Sequence, residues 1–158
     1  MHPHEALVRE FYARFAARDA EGMARCYHAD VFFSDPVFPS LHGAAAGDMW
    51  RMLLGRATDL EVTLDESRGD ADGAVARWTA RYTFRGRPVV NRVRAMFAFR
   101  DGLICRHYDY FPFWTWARQA MGPVGTALGW FGPFKWIVRR DAGRRLERFQ
   151  GRGDTAGD

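Results

Sequence analysis

Cysteine is scarce. Cys26 and Cys105 stand alone in the 158 residues, with no CxxC spacing. That excludes a disulfide framework and a zinc ribbon, and the simple reading is a reduced, cytoplasmic chain. Lysine is scarcer still. Of the 23 basic residues 22 are arginine, a bias of the kind coding composition produces, so no single arginine carries an argument. The opening, MHPHEALVRE, lacks the basic and apolar regions of a secretory signal. No Gly-rich loop leads into a helix and no nucleophile elbow is present. His2, His4, His28 and His42 form no metal spacing, so neither a metal nor a cofactor is expected. No charge of one sign dominates. Residues 1–134 hold 16 Arg against 15 acids, and residues 135–158 hold 7 basic residues against 4 acids. A balanced body with a mildly basic tail is a weak footprint for nucleic acid, and none is expected as a partner.

Aromatic residues, by contrast, make up 15% of the chain, with 13 Phe and 6 Trp, and these surfaces must be buried or line something. The length fits one domain with a sizeable core. Leu7, Phe11 and Phe15 fall four apart on a first helix, widened by Val8 and Tyr12. Asp19 caps a short second helix carrying Met23, Cys26 and Tyr27. A short strand, Val31 to Ser34, meets the turn dipeptide Asp35-Pro36, and a third helix carries Trp50, Leu53, Leu54 and Ala57. From Leu60 the period changes from 3.6 to 2. Strands follow over residues 60–65, 76–85, 91–100 and 103–111, and Asp101-Gly102 marks a two-residue hairpin. The result is an α+β layer fold, with helices on one side of an antiparallel sheet. The other sheet face holds Arg77, Arg81, Arg85, Arg92, Arg94, Arg100 and Arg106. It reads as a solvated or dimer-forming face partly neutralised by Glu61 and Asp65, or as an anion site.

Two stretches carry a resemblance. FYARFAARDAEGMARCYHADVFFSDPV looks like the opening of ketosteroid isomerase and its nuclear-transport-factor-2-like relatives, including SnoaL-like polyketide cyclases. YTFRGRPVVNRVRAMFAFRDGLICRHYDYF resembles the closing hairpin of that fold and has local similarity to limonene epoxide hydrolase. The resemblance covers about residues 5–112. It implies a cone-shaped, curved, largely antiparallel sheet wrapped by the N-terminal helices around an apolar pocket, often dimerising through the outer sheet face.

The same resemblance aligns Asp35 with the aspartate that moves a proton between carbons in ketosteroid isomerase. Phe32, Phe33, Val37 and Phe38 would strip water from it and raise its pKa. Asp before Pro is also an ordinary turn starter. The isomerase's oxyanion donors are missing: Phe11 stands at its tyrosine position and Ala95 at its acidic one. Tyr12, next to Phe11, is expected to face elsewhere. Of the epoxide hydrolase roles only Asp109 matches, the others falling near Thr79, Arg81, Phe32 and Ser34. Neither reaction is therefore expected by its known mechanism. A different set remains. Cys105, His107, Asp109 and Phe111 alternate onto one face of the last strand, and the alignment puts that face inward, with Asp35 across the cavity. Asp35, His107 and Asp109 are the candidate catalytic residues. Phe11, Phe15, Phe33, Trp50, Trp78, Asn91, Phe97 and Phe111 are the candidate pocket residues.

The tail is a separate matter. From Ala120 to Val138 the only charge is Lys135, but Gly and Pro break the run and argue against a membrane span. Residues 113–149 are expected as an aromatic helical segment capping the cone or packing on a partner subunit. Peripheral contact with an anionic membrane surface is a less favoured alternative. Residues 150–158 are expected to be disordered. The function expected is acid–base chemistry on an apolar small molecule by a homodimer. The rivals are a non-catalytic carrier or sensor and an assembly module using the outer face and tail.

Overall fold

The computed structural model describes residues 1–155. Helix α1 (Pro3–Ala16) begins where the His2 ring accepts from the His4 N–H, with Pro3 in the first turn and Glu5 near the positive helix end. Val8, Phe11, Tyr12 and Phe15 are buried. These positions form one broad apolar face, so the adjacent residues 11 and 12 both reach the interior. The expectation that Tyr12 faces elsewhere is thereby corrected: it is 2% exposed. Helix α2 (Ala20–Arg25) is capped by Asp19, whose Oδ1 accepts from the Gly22 N–H at 2.8 Å. Tyr27 is not on that helix but opens β1 (Tyr27–Ser34). β2 (Leu41–His42) pairs with β1, and α3 (Ala44–Arg56) follows.

Four long strands come next: β3 (Glu61–Gly69), β4 (Ala74–Phe84), β5 (Arg87–Arg100) and β6 (Leu103–Tyr110). The sheet order is β2-β1-β6-β5-β4-β3. β1 runs parallel to β6 and every other pair is antiparallel, so the curved six-stranded sheet is mixed. The two-residue turns Arg85-Gly86, between β4 and β5, and Asp101-Gly102, between β5 and β6, hold positive φ at both residues, the geometry that matches strand twist and that glycine adopts freely.

Register shifts interrupt β1, between Tyr27 and Phe32, and bulges in β3 and β6 shift the faces of the sheet. In β3 the extra residue is Asp65, so Glu66 stands opposite Arg77 and pairs with it at 3.7 Å. Asp65 instead accepts from the Thr79 hydroxyl at 2.6 Å. In β6 the extra residue is Cys105, between Ile104, opposite Phe99, and Arg106, opposite Ala98. The expected inward Cys105 is thereby corrected. Ile104 takes the interior position at 0% exposure, while Cys105 lines an outer groove with Phe32, His42 and Arg106.

Three helices close the chain: α4 (Phe113–Met121), α5 (Pro123–Leu128) and α6 (Gly132–Thr155). Gln119 on α4 docks on β5 as another strand would, accepting from Val90 N–H at 2.8 Å and donating to Val90 O at 3.1 Å. Helix α6 returns over α3, burying Leu146, and Gln150 donates to Asp48 Oδ2 at 3.0 Å. That anchor carries the helix through Thr155, so residues 150–155 are helical where disorder was expected; residues 156–158 lie outside the described residues.

Candidate functional site

A line of four side chains runs through the interior. The Trp50 Nε1–H donates to Tyr27 Oη at 2.8 Å, Tyr27 Oη lies 2.8 Å from His107 Nδ1, and His107 Nε2 lies 2.9 Å from Asp109 Oδ1. Elementary donor logic sets the protons. Indole is donor only, so the Tyr27 oxygen accepts from it. An ionised carboxylate only accepts, so the proton sits on His107 Nε2. Bare Nδ1 then takes the Tyr27 O–H. Every member is satisfied, which a buried polar network requires.

The fold builds this line from three elements. The parallel pairing of β1 with β6 sets Phe33 beside His107. Tyr27 reaches the imidazole from the start of β1, and α3 delivers Trp50. Phe97, opposite His107 on β5, lies 4.4 Å away between ring centroids, Phe33 5.0 Å, Phe11 5.4 Å and Trp50 6.2 Å. Four of the expected pocket residues thus pack directly on His107, which is 0% exposed. Phe15 lies one layer further out, against Trp50 and Trp78. Phe111 is buried, and Asn91 is half-buried opposite Ala80.

Asp109 ends the line, and small residues surround it on the sheet. Asp109, Ala95 and Ala76 form one row across β6, β5 and β4. Above this region stand two buried polar atoms without a hydrogen-bond partner, Tyr12 Oη and Trp78 Nε1. Their rings are 5.7 Å apart. Burial, with the charge of Asp109, holds the Tyr12 hydroxyl well above the usual phenol range, so it remains a proton donor. Trp78 also acts on this hydroxyl from its indole N–H, so the two form a donor pair, within electrostatic reach of Asp109 through Tyr12, that can hold one ligand oxygen. Tyr12→Phe removes a buried hydroxyl that lacks a partner. Unfolding by denaturant is therefore expected to show stability unchanged or raised by up to ~1 kcal/mol. A clear loss would mean that the hydroxyl is already bonded.

Asp35 proves to be both a turn residue and a perturbed acid. Its Oδ1 accepts from the Val37 N–H at 2.7 Å and the Phe38 N–H at 2.5 Å. Burial, joined by the Asp109 charge, nevertheless raises its pKa to about 7 against those hydrogen bonds and the Arg139 charge. Asp35 is thus within electrostatic reach of Asp109. The sign for stability follows. Between about 3.8 and 7 the folded state keeps a proton that the unfolded chain has released, so stability falls as pH rises through that window. Asp35→Asn keeps the oxygen that accepts both amides and removes the charge. It is expected to match wild type near pH 4 and to exceed it by roughly 1–2 kcal/mol at pH 8, after discounting for partial exposure. Thermal or denaturant unfolding at the two pH values checks this.

The C-terminal helices lie over this turn. Arg139 on α6 donates to Pro36 O at 2.8 Å, and the Trp116 indole on α4 donates to Tyr82 Oη at 2.8 Å. Tyr82 itself feels the Asp35 charge. Sequence reasoning missed Tyr27, Tyr82 and Arg139 because each acts across elements far apart in the chain. For Tyr12 the width of the helical stripe was the available signal.

A bent mixed sheet wrapped by helices, with polar groups converging inside, defines the nuclear-transport-factor-2-like class of α+β proteins. The chain belongs to the SnoaL-like domain family, which matches residues 8–107 and so takes in Asp35, Tyr27, Trp50 and His107 but stops short of Asp109 and the last three helices. No curated protein matches the chain. Among solved structures, it is similar to an NTF2-like protein of unknown function from Burkholderia pseudomallei, at 21% identity and a TM-score of 0.69 over 77% of this chain and 100% of that one. An LEH-like epoxide hydrolase from M. tuberculosis shares 19% identity with a TM-score of 0.65, over 80% of this chain and 96% of the other. A protein of ketosteroid isomerase-like fold from Catenulispora acidiphila, in complex with trimethylamine, shares 14% identity with a TM-score of 0.65, over 74% of this chain and 93% of the other. At these identities the likeness shows the fold.

Proposed function

We propose that this protein is a cytoplasmic acid–base enzyme of isomerase, dehydratase or cyclase type, acting on an apolar, carbonyl-bearing small molecule. The observation that carries the reading is that Asp35, poised near neutral pH, and the Tyr12 hydroxyl both lie within electrostatic reach of Asp109, which a buried relay holds in place. In the proposed cycle Asp35 moves the proton on carbon. Tyr12 Oη and Trp78 Nε1 hold the oxygen on which charge develops, and His107 fixes the orientation of Asp109. A pKa near the working pH lets one carboxyl both take and return a proton. Helices α4 and α6 act as a cap that excludes water, and they must lift for ligand to enter.

The test needs no knowledge of the natural substrate. Apolar polycyclic ketones incubated with the protein in D2O are expected to lose their α-C–H signals by NMR. Ketones that bind without exchange would favour the second reading, a carrier, which the dense aromatic packing around His107 also supports. The protein is further proposed to be a homodimer through the outer sheet face. Tyr108, Met96 and Val75 line up there in consecutive register, with Phe32 packed on Tyr108 at 5.7 Å and Met96 60% exposed. Met96→Arg adds charge among existing arginines and is expected to give a monomer by light scattering. An unchanged mass would refute that interface.

A further inference from the structure

The last three helices cover the Asp35 turn with one side and leave large apolar side chains bare on the other. Trp130 is 74% exposed, Trp136 58%, Ile137 56%, Val124 56% and Phe131 47%. Monomeric proteins scatter such residues singly; here they crowd into a segment of fourteen, counting inclusively from 124 to 137. The patch is continuous through its own contacts. The Trp114 indole donates to Thr126 O at 3.1 Å, joining α4 to α5, and Trp130 packs edge-on to Phe131 at 5.9 Å, leading into α6. Its charge is mainly basic: no acid lies from Arg118 to Arg140, and Asp141, which shares a groove with Trp136, Ile137, Arg140 and Arg144, is paired with Arg145 at 2.8 Å. Arg118 sits over Trp114 and Arg140 over Trp136, at 5.0 and 5.2 Å from the ring centroids. Exposed indoles with arginines held beside them are the composition of an interfacial membrane contact. No helix among the described residues is long and apolar enough to cross a membrane, so the contact is with a surface.

We propose that the exposed face of α5 and the start of α6 docks on an anionic lipid bilayer, with Trp130, Phe131, Trp136 and Ile137 at headgroup depth and the basic residues against the phosphates. Charge complementarity selects this occupant over a second copy of the chain. A two-fold contact through the patch would bring Arg140 and Arg144 of each copy, which stand beside Trp136 and Ile137, against the same basic stretch of the other.

Sedimentation of the full chain with lipid vesicles, at ~0.05 M and ~0.5 M salt to vary screening, tests the proposal. Wild type is expected to pellet with vesicles of equal phosphatidylglycerol and phosphatidylcholine at low salt and to stay in solution with phosphatidylcholine alone. Trp130→Ser with Trp136→Ser is expected to lower the partition coefficient at least ~10-fold, since each side chain loses its apolar insertion. Both sites are exposed, so circular dichroism should show the fold intact. Arg140→Gln with Arg144→Gln is expected to weaken binding roughly tenfold and flatten its salt dependence. The proposal is overturned if folded wild type ignores anionic vesicles, if it binds both vesicle types equally, or if the tryptophan variant binds like wild type. A dimer that the tryptophan substitutions dissolve, without vesicle binding, would assign the patch to self-association instead.

Discussion

Asp35→Asn is expected to slow α-proton exchange on a bound ketone by ~10²–10⁴-fold, the usual contribution of a positioned general base. Affinity should stay within about threefold, since uniform binding does not pass through the lost proton. The variant is clean because the structure separates the two jobs of this residue. Oδ1 holds the turn through Val37 and Phe38, and an amide oxygen accepts those bonds equally well. Only the titration is removed. Exchange that survived in Asp35→Asn would move the chemistry to His107 and Asp109 and leave Asp35 as a turn residue. Exchange kinetics and calorimetric binding, run on the same ketone, separate these outcomes.

His107→Ala is expected to destabilise the fold by about 3–5 kcal/mol, read from denaturant midpoints. Two effects add. The substitution opens a cavity among Phe11, Phe33, Trp50 and Phe97, each of which packs on the imidazole. It also leaves the Tyr27 hydroxyl and the Asp109 carboxylate buried without their shared partner. His107→Phe fills the space but not the hydrogen bonds and should recover only part of the loss. His42, on the exposed edge of β2, offers a control, where alanine should change stability by under ~0.5 kcal/mol. A loss below ~1 kcal/mol for His107→Ala would mean that the relay does not hold the core together.

Most of the fold could be read from periodicity. The switch from a period of 3.6 to 2 after Leu60 located the hairpin strands, and Asp101-Gly102 located their last turn. Asp19 located the cap of α2. What escaped was whatever depends on counting across strands. An inserted residue is invisible in the alternation of one strand, so Cys105 was expected on the inward face, which Ile104 takes instead. The parallel pairing of β1 with β6 joins residues some 80 positions apart, and no local pattern announces that Tyr27 will meet His107. The inward pair His107 and Asp109 was legible because two residues at i and i+2 share a strand face. The idle donors were not. A missing hydrogen bond is a property of three-dimensional surroundings, and Tyr12 and Trp78 read in sequence as ordinary core aromatics. The aromatic tail was legible as unusual, yet its two sides, one over Asp35 and one bare, separate only in the folded chain.

The pKa of Asp35, followed by NMR of its carboxyl carbon in wild type and in Asp109→Asn, tests the account most directly. Two carboxylates sharing a site require titration near 7 in wild type and a lower value once the neighbouring negative charge is gone. Titration at the ordinary value of 3.8, unmoved by Asp109→Asn, would contradict it. Asp35 would then be a solvated turn residue and the two carboxylates would not share a site.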